Sequence, residues 1–250
     1  NFVFHSERVK NNREQIMKTQ ILSLFATSAL LAAGNASAAD IDVKITNLTQ
    51  GIYFTPLLVT AHSSDAMLYK LGEAASPELQ AMAEGGSLDG LVAMVDGIGA
   101  DPMANPVDGL LAPAMSTMTN LMTADGNTQL SIVGMMLPTN DGFVGLNSWS
   151  IPSEVGTYTI YLNAYDAGTE ANNELVKNGS GAPGELGIPA SPGVAPGENG
   201  TGVTTSEENK MIHVHRGNLG DDDASGGSSD LHNTVHRWLN PVAKVTVTVK

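Results

Sequence analysis

The closing stretch Val242-Ala243-Lys244-Val245-Thr246-Val247-Thr248-Val249 (VAKVTVTV) alternates apolar and polar residues. Successive side chains of a strand point to opposite faces, so Val245, Val247 and Val249 share one face and Thr246 and Thr248 the other. That is a strand with one dry side and one wet side. Thr157–Tyr165 (TYTIYLNAY) reads as clearly, being rich in the Thr, Tyr and Ile that suit a pleated surface. Ile41–Thr46 alternates in the same way and stops at Asn47, a turn former.

Working outward, Tyr53–Ala61 is a further strand in which Pro56 marks an edge or a bulge. Met115–Met122 and Gln129–Leu137 read as two strands joined into a hairpin by Ala124-Asp125-Gly126-Asn127. Lys210–His215 is one more. Ser76-Pro77-Glu78-Leu79 supplies an N-cap, a proline at the first helical position and an acidic first turn, so a short helix runs to about Glu84 and Gly85-Gly86 stops it. A second helical segment spans Leu88–Val95 and ends at Gly97. Residues 97–109 and 178–202 are Gly/Pro/Asn-rich and read as loops. The pattern predicts an all-β fold: an antiparallel β-sandwich of about eight strands with one or two short helices in an inserted loop.

The chain has 250 residues, with 12 Lys and Arg against 26 Asp and Glu, a net charge of −14 and no cysteine. A surface this acidic releases no counterions from nucleic acid and is repelled by anionic membranes. Without cysteine, disulfides, thiolate zinc sites, iron–sulfur clusters and cysteine nucleophiles are excluded. The 11 methionines read as gap-filling packing.

Met17 opens MKTQILSLFATSALLAAGNASAAD, with a basic Lys18, an apolar run from Ile21 to Ala33 and an Ala36-Ser37-Ala38 cleavage site. This is expected to be a signal peptide over residues 17–38, with residues 1–16 an upstream extension and residues 39–250 one secreted domain, bacterial and periplasmic or extracellular. The apolar run is too short for a membrane span, and stable membrane insertion is not expected.

Three constellations could carry chemistry. Asn140-Asp141 in a turn, and Asp166-Ala167-Gly168-Thr169-Glu170 after a strand, put hard oxygen donors at strand ends, where a sandwich gathers its loops; such donors suit calcium. Gly168 lets that segment turn so that Asp166 and Glu170 can face one ion. His213 and His215 flank Val214, so on a strand both rings lie on one face, a geometry for a transition metal as in Cu/Zn superoxide dismutase or for a plain hydrogen-bonded pair. Asp221-Asp222-Asp223 reads as a solvated acidic loop. No G-x-S-x-G elbow, P-loop or H-E-x-x-H motif occurs.

The succession ITNLTQG at 45–51, VTAHSSDAMLYKLGEAASPELQAMAEGG at 59–86, LPTNDGFVGLNS at 137–148, YDAGTEANNE at 165–174, HVHRGNLGD at 213–221 and RWLNPVAKVTVTV at 237–249 resembles a spondin domain. It is similar to the N-terminal domain of the F-spondin and mindin type, in a compact single-domain version. The resemblance implies a C2-like sandwich holding one calcium through loop carboxylates. These correspond to Asp141, Asp166 and Glu170, with backbone carbonyls of Asn140 or Gly142 as further donors. Two departures stand out: Thr139-Asn140-Asp141-Gly142 lacks the aromatic of the animal segment, and the animal cysteines are absent. The expectation is a non-enzymatic, calcium-binding recognition or adhesion module whose partner is an unknown extracellular protein or glycan. The alternatives are a metalloenzyme or transition-metal binder using His213 and His215, and a carbohydrate-binding module.

Overall fold

The computed structural model describes residues 38–194, 199–223 and 226–250. The expected leader and upstream extension lie, apart from Ala38, outside the described residues. Among the described residues the strands are β1 (Asp40–Asn47), β2 (Tyr53–Phe54), β3 (Leu58–His62), β4 (Asp101–Ala104), β5 (Ser116–Met122), β6 (Gln129–Leu137), β7 (Gly142–Ser150), β8 (Gly156–Asp166), β9 (His213–Val214) and β10 (Ala243–Val249). The two helices, α1 (Pro77–Gly85) and α2 (Asp89–Gly97), both fall in the β3–β4 connection. None of the described helices is long and apolar enough to cross a membrane.

The strand order is β4-β3-β6-β7-β8-β10-β1-β5, with β2 also on β6 and β9 on β8. Every one of these ladders is antiparallel. β10 sits between β1 and β8, with Val245 opposite Ile45 on one side and Ile160 on the other. Its burial alternates strictly, the valines inside and the threonines half-exposed. β8 serves both layers of the sandwich: Gly156–Leu162 pair with β10, while Asn163–Asp166 pair with β7. Ile41, Val43, Ile45, Val245 and Val247 from one layer meet Val59, Ala61, Leu130, Ile132 and Val144 from the other in a single core.

β6 is buried on both faces. Leu130, Ile132 and Met136 face the main core, while Val133, Met135 and Leu137 face a second cluster with Leu79, Met82, Leu91 and Val95 of the helices. The helices thus cover the outer face of the β3–β6–β7 layer. α1 starts as its sequence dictates: Leu79 N–H donates to Ser76 Oγ at 3.2 Å, and Gly86, at φ 73°, closes the C-terminus with its N–H on Met82.

Five expectations need correction. Tyr53–Ala61 is two strands: Phe54 pairs with Met136 but Leu58 with Val133, so one extra residue bulges at Pro56. Gly134 lies beneath that bulge, where a Cβ would stand 2.6 Å from Leu57 Cδ2. The strands at 115–122 and 129–137 exist but do not form a hairpin; β5 extends β1, and β6 pairs with β3 and β7. The intervening turn is instead tied to β4, with Ala124 N–H and Asn127 Nδ2 both on Asp101 Oδ2. Residues 97–109 contain β4, and the segment after Asp141, read only as turn and motif, is the nine-residue strand β7. Of Lys210–His215, only His213–Val214 is strand.

A candidate cation site at the loop end of the sandwich

β7 begins and β8 ends at the same edge, Gly142 pairing with Asp166. The turn before β7 is locked by Thr139, whose Oγ accepts from Gly142 N–H at 3.0 Å. Gly142 is required there: a Cβ would stand 2.8 Å from Thr139 Oγ1 and 3.1 Å from the His215 ring. After β8 the chain turns at Gly168, φ 71°, where a Cβ would meet the backbone of Asn209 and Lys210 at 2.7 Å. Both expected turns therefore lie at one edge of the sandwich, their segments joined through Asp141 and the Thr169 and Glu170 N–H groups.

Asp141, Asp166 and Glu170 are all buried. Asp141 Oδ2 accepts from Thr169 N–H at 2.8 Å, Thr169 Oγ1 at 3.2 Å and Glu170 N–H at 3.1 Å. Its Oδ1 is buried and has no partner. Glu170 Oε2 accepts from Asn140 Nδ2 at 3.2 Å and Gly187 N–H at 3.1 Å, while its Oε1 is likewise buried without a partner. Asp166 is better provided for, with Gly168 N–H on Oδ1 at 2.9 Å and Asn172 Nδ2 on Oδ2 at 2.6 Å. Gly142's carbonyl faces Thr139 Oγ1 at 3.3 Å.

The electrostatics follow from this burial. Loss of hydration, then the Asp166 charge, pushes Asp141 up to about 8. Burial raises Glu170 to about 7, with Glu84 adding to the effect, and burial also raises Asp166. No Lys or Arg among the described residues makes an ion pair with any of the three. Among the described residues no three His, Asp or Glu side chains converge into a ready-made metal cage. The donor chemistry, two orphaned carboxylate oxygens in an acidic cluster, nevertheless fits a hard divalent cation. A polar cavity of about 330 Å³, lined by Asn172, Glu207, His213 and Arg216 among others, reaches the cluster at Asp166. The larger groove of about 660 Å³ lies elsewhere, between α2 and the start of the segment after β4.

The two histidines stand near Asp166. His213 Nδ1 is 3.8 Å from Asp166 Oδ1, and its N–H donates to the Met211 carbonyl at 2.8 Å. His215 is fully buried, which depresses it to about 3, and its Nδ1 accepts from Gly217 N–H at 2.9 Å.

Sequence reasoning gave Asn140 only a backbone role and missed Asn173, Glu174 and Asp230 around this cluster. Asn140 reaches Asn173 Oδ1 with its amide at 3.0 Å, and its own Oδ1 accepts from Glu174 N–H at 3.2 Å. Glu174 is buried and accepts from Leu219 N–H, Gly220 N–H and Ser229 Oγ. Asp230 accepts from Val176 and Gly200 N–H. The signal was present in part, since Asn172, Asn173 and Glu174 close the YDAGTEANNE segment. Asp221, expected to be solvated, folds back onto Ser228 and Ser229 N–H, which hold its carboxyl below the usual range.

A family model described as Spondin_N matches residues 46–178, which include Asp141, Asp166, Glu170 and Glu174 but not His213 or His215. A search of curated proteins found no match.

Proposed function

We propose, from the premise that the chain belongs to the Spondin_N family, that it is an extracellular recognition or adhesion module with one calcium ion at its loop end. Asp141, Asp166 and Glu170 would hold the ion. The observation that carries this reading is the pair of orphaned oxygens, Asp141 Oδ1 and Glu170 Oε1, buried in sequence-distant loops that already touch through Glu170 N–H and Asp141 Oδ2. Buried carboxylates without partners are costly, and a divalent cation supplies both charge and coordination. Calcium bound there would tie the 139–142 turn to the 166–170 turn and stiffen the loops that face a partner.

The module is read as non-catalytic. A Ser–His pair, His62 Nε2 with Ser131 Oγ at 2.7 Å, is sealed inside the sheet with both residues fully buried, so no substrate reaches it. An extracellular protein or glycan is the partner class that fits a rigid loop end.

The test is thermal melting of the purified chain in calcium and in chelator. At a calcium concentration a hundredfold above Kd the folded state gains about 2.7 kcal/mol. Asp166→Ala abolishes that gain. A melting temperature indifferent to calcium overturns the reading.

A further inference from the structure

β5 (Ser116–Met122) ends the sheet, with β1 on one side and, among the described residues, no strand on the other. Its ladder to β1 has no register shift. It is bracketed by Asn47 N–H on the Met115 carbonyl at 3.0 Å and Thr123 N–H on the Ala39 carbonyl at 2.8 Å. Residues of an antiparallel strand alternate between bonding one neighbour and facing the other way. Thr117, Thr119 and Leu121 therefore bond β1, and the N–H and C=O groups of Ser116, Met118, Asn120 and Met122 face outward from the edge. No backbone group of the described residues takes them. The Asn120 carbonyl has only Thr119 Oγ1, at 3.5 Å. Such an edge accepts a further strand unless proline, charge or a bulge blunts it. The opposite edge is blunted. β4 is four residues long, and Asn105 N–H on the Leu57 carbonyl sets the alternation that turns Pro102, with its missing donor, outward. β5 has seven residues with no proline, no charge and no bulge. Met118 and Met122 on its outer face are 65% and 75% exposed.

We propose that β5 pairs antiparallel with β5 of a second copy of this chain, about a two-fold axis at Thr119, joining the two sheets into one. The strand is self-complementary in that register. Met118 lies opposite the second copy's Asn120, and Ser116 opposite its Met122, so every outward-facing group falls in a hydrogen-bonded pair. No charged side chain stands on either strand of the new ladder. On β1, Lys44 lies beside Met118 and Asp42 beside Asn120. The exposed Lys44 of each copy therefore lines up with Asp42 of the other, three strand spacings of about 4.8 Å away. In a chain of net charge −14, where copies repel at a distance, this row sets opposite charges toward each other. The match of the strand to itself, in backbone and in charge, selects a second copy over a strand from elsewhere. The carboxylate cluster takes no part, so the dimer is independent of the cation reading.

Sedimentation equilibrium of the purified chain reads the association directly. A single added ladder is a small interface, so a dimer with Kd at or below about 100 µM is expected. A wild type still monomeric at about 0.5 mM overturns the proposal and leaves the edge to a strand of another protein. Met118→Pro removes an N–H that the monomer does not bond. At concentrations where both proteins are monomeric it melts with wild type, and it weakens the dimer about tenfold or more. Association equal to wild type in a folded Met118→Pro protein overturns the proposal. Cross-linking reads the register, because the chain has no cysteine of its own. Thr119→Cys meets its own counterpart across the axis in a non-hydrogen-bonded pair, within disulfide reach, and mild oxidation traps a covalent dimer. Thr117→Cys, about 14 Å from its counterpart, stays monomeric under the same oxidation. Equal cross-linking of the two variants, or none in either, overturns the proposal. Should Met118→Pro fail to fold, the cysteine variants decide.

Discussion

Asp141→Asn separates the two demands made on the buried cluster. The amide that replaces the carboxylate keeps an oxygen for Thr169 N–H, Thr169 Oγ1 and Glu170 N–H. It puts a donor where the orphaned Oδ1 stood and removes a charge. Asp141 has its carboxyl raised to about 8 by burial first and the Asp166 charge second. In the unfolded chain it ionises near its ordinary value of 3.8. Between those values the folded state binds the extra proton, so without calcium, stability is full at low pH and falls as pH rises. Each pH unit in that window costs up to about 1.4 kcal/mol, so the ceiling from pH 5 to pH 8 is on the order of 4 kcal/mol. Relaxation and water entry reduce this, and roughly 2–4 kcal/mol, or about 5–15 °C in Tm for a domain of this size, is the expected fall. In chelator, Asp141→Asn lacks this fall, so it melts above wild type at pH 8 and converges with it at pH 5. In calcium the order reverses, because wild type gains about 4.1 kcal/mol at a thousandfold excess over Kd and the variant does not. Differential scanning calorimetry at four pH values, with EGTA and with calcium, reads the crossing directly. If the variant melts at or below wild type at pH 8 in EGTA, the buried-charge reasoning is wrong; if both proteins respond alike to calcium, Asp141 is no ligand.

Two further outcomes follow from the loop geometry. Glu174→Ala strands Leu219 N–H, Gly220 N–H and Ser229 Oγ; urea melts should lose about 2–4 kcal/mol, and limited proteolysis should cut first within 215–231. A loss below about 1 kcal/mol would show that these donors find water instead. Gly168→Ala drives a Cβ into backbone at 2.7 Å from a left-handed position; it should cost about 1–3 kcal/mol and weaken calcium binding, because Asp166 and Glu170 flank the turn. Unchanged calorimetric affinity would separate the turn from the site.

What was legible in the sequence divides along burial. β1, β8 and β10 expose one face and bury the other, so their alternation survives in the residue pattern. β7 opens with Gly142, Phe143, Val144 and Gly145, all buried, so it shows no alternation and its glycines look like turn punctuation. β4 carries Pro102 at the edge of the sheet, where a missing N–H is tolerated but reads as loop. The hairpin at 124–127 failed for a different reason: a turn signal gives a local reversal, whereas the partner of β5 is chosen by the seven-residue ladder available on β1. In the site, the strand ends and the Gly168 turn bring the 139–142 and 166–170 segments together, with Asp141 Oδ2 on Thr169 and Glu170 N–H. The roles of Glu174 and Asp230 were illegible, since their donors lie up to 55 residues away along the chain.

The acidic excess therefore has two structural uses, told apart by hydrogen-bond valence rather than by charge density. Beyond β8, the only strands among the described residues are the two-residue β9 and the final β10. The long segments between them are tied by carboxylates. Glu84 accepts from Gln80 and from Gly184 N–H, Asp230 from Val176 and Gly200, Asp221 from Ser228, Ser229 and Asp223, and Glu174 from three donors. In each, both oxygens accept at least one bond, and charge-assisted bonds of this kind are roughly twice as strong as neutral ones. They cross-link loops in a chain that has no cysteine to do so. Asp141 and Glu170 depart from that pattern, each leaving one oxygen buried and empty. A carboxylate oxygen that accepts one bond keeps a second lone pair, as both oxygens of Asp166 do, whereas Asp141 Oδ1 and Glu170 Oε1 have no partner at all. Those two residues are joined through Glu170 N–H and Asp141 Oδ2, and on the calcium reading proposed above a divalent cation would supply the partner that both oxygens lack.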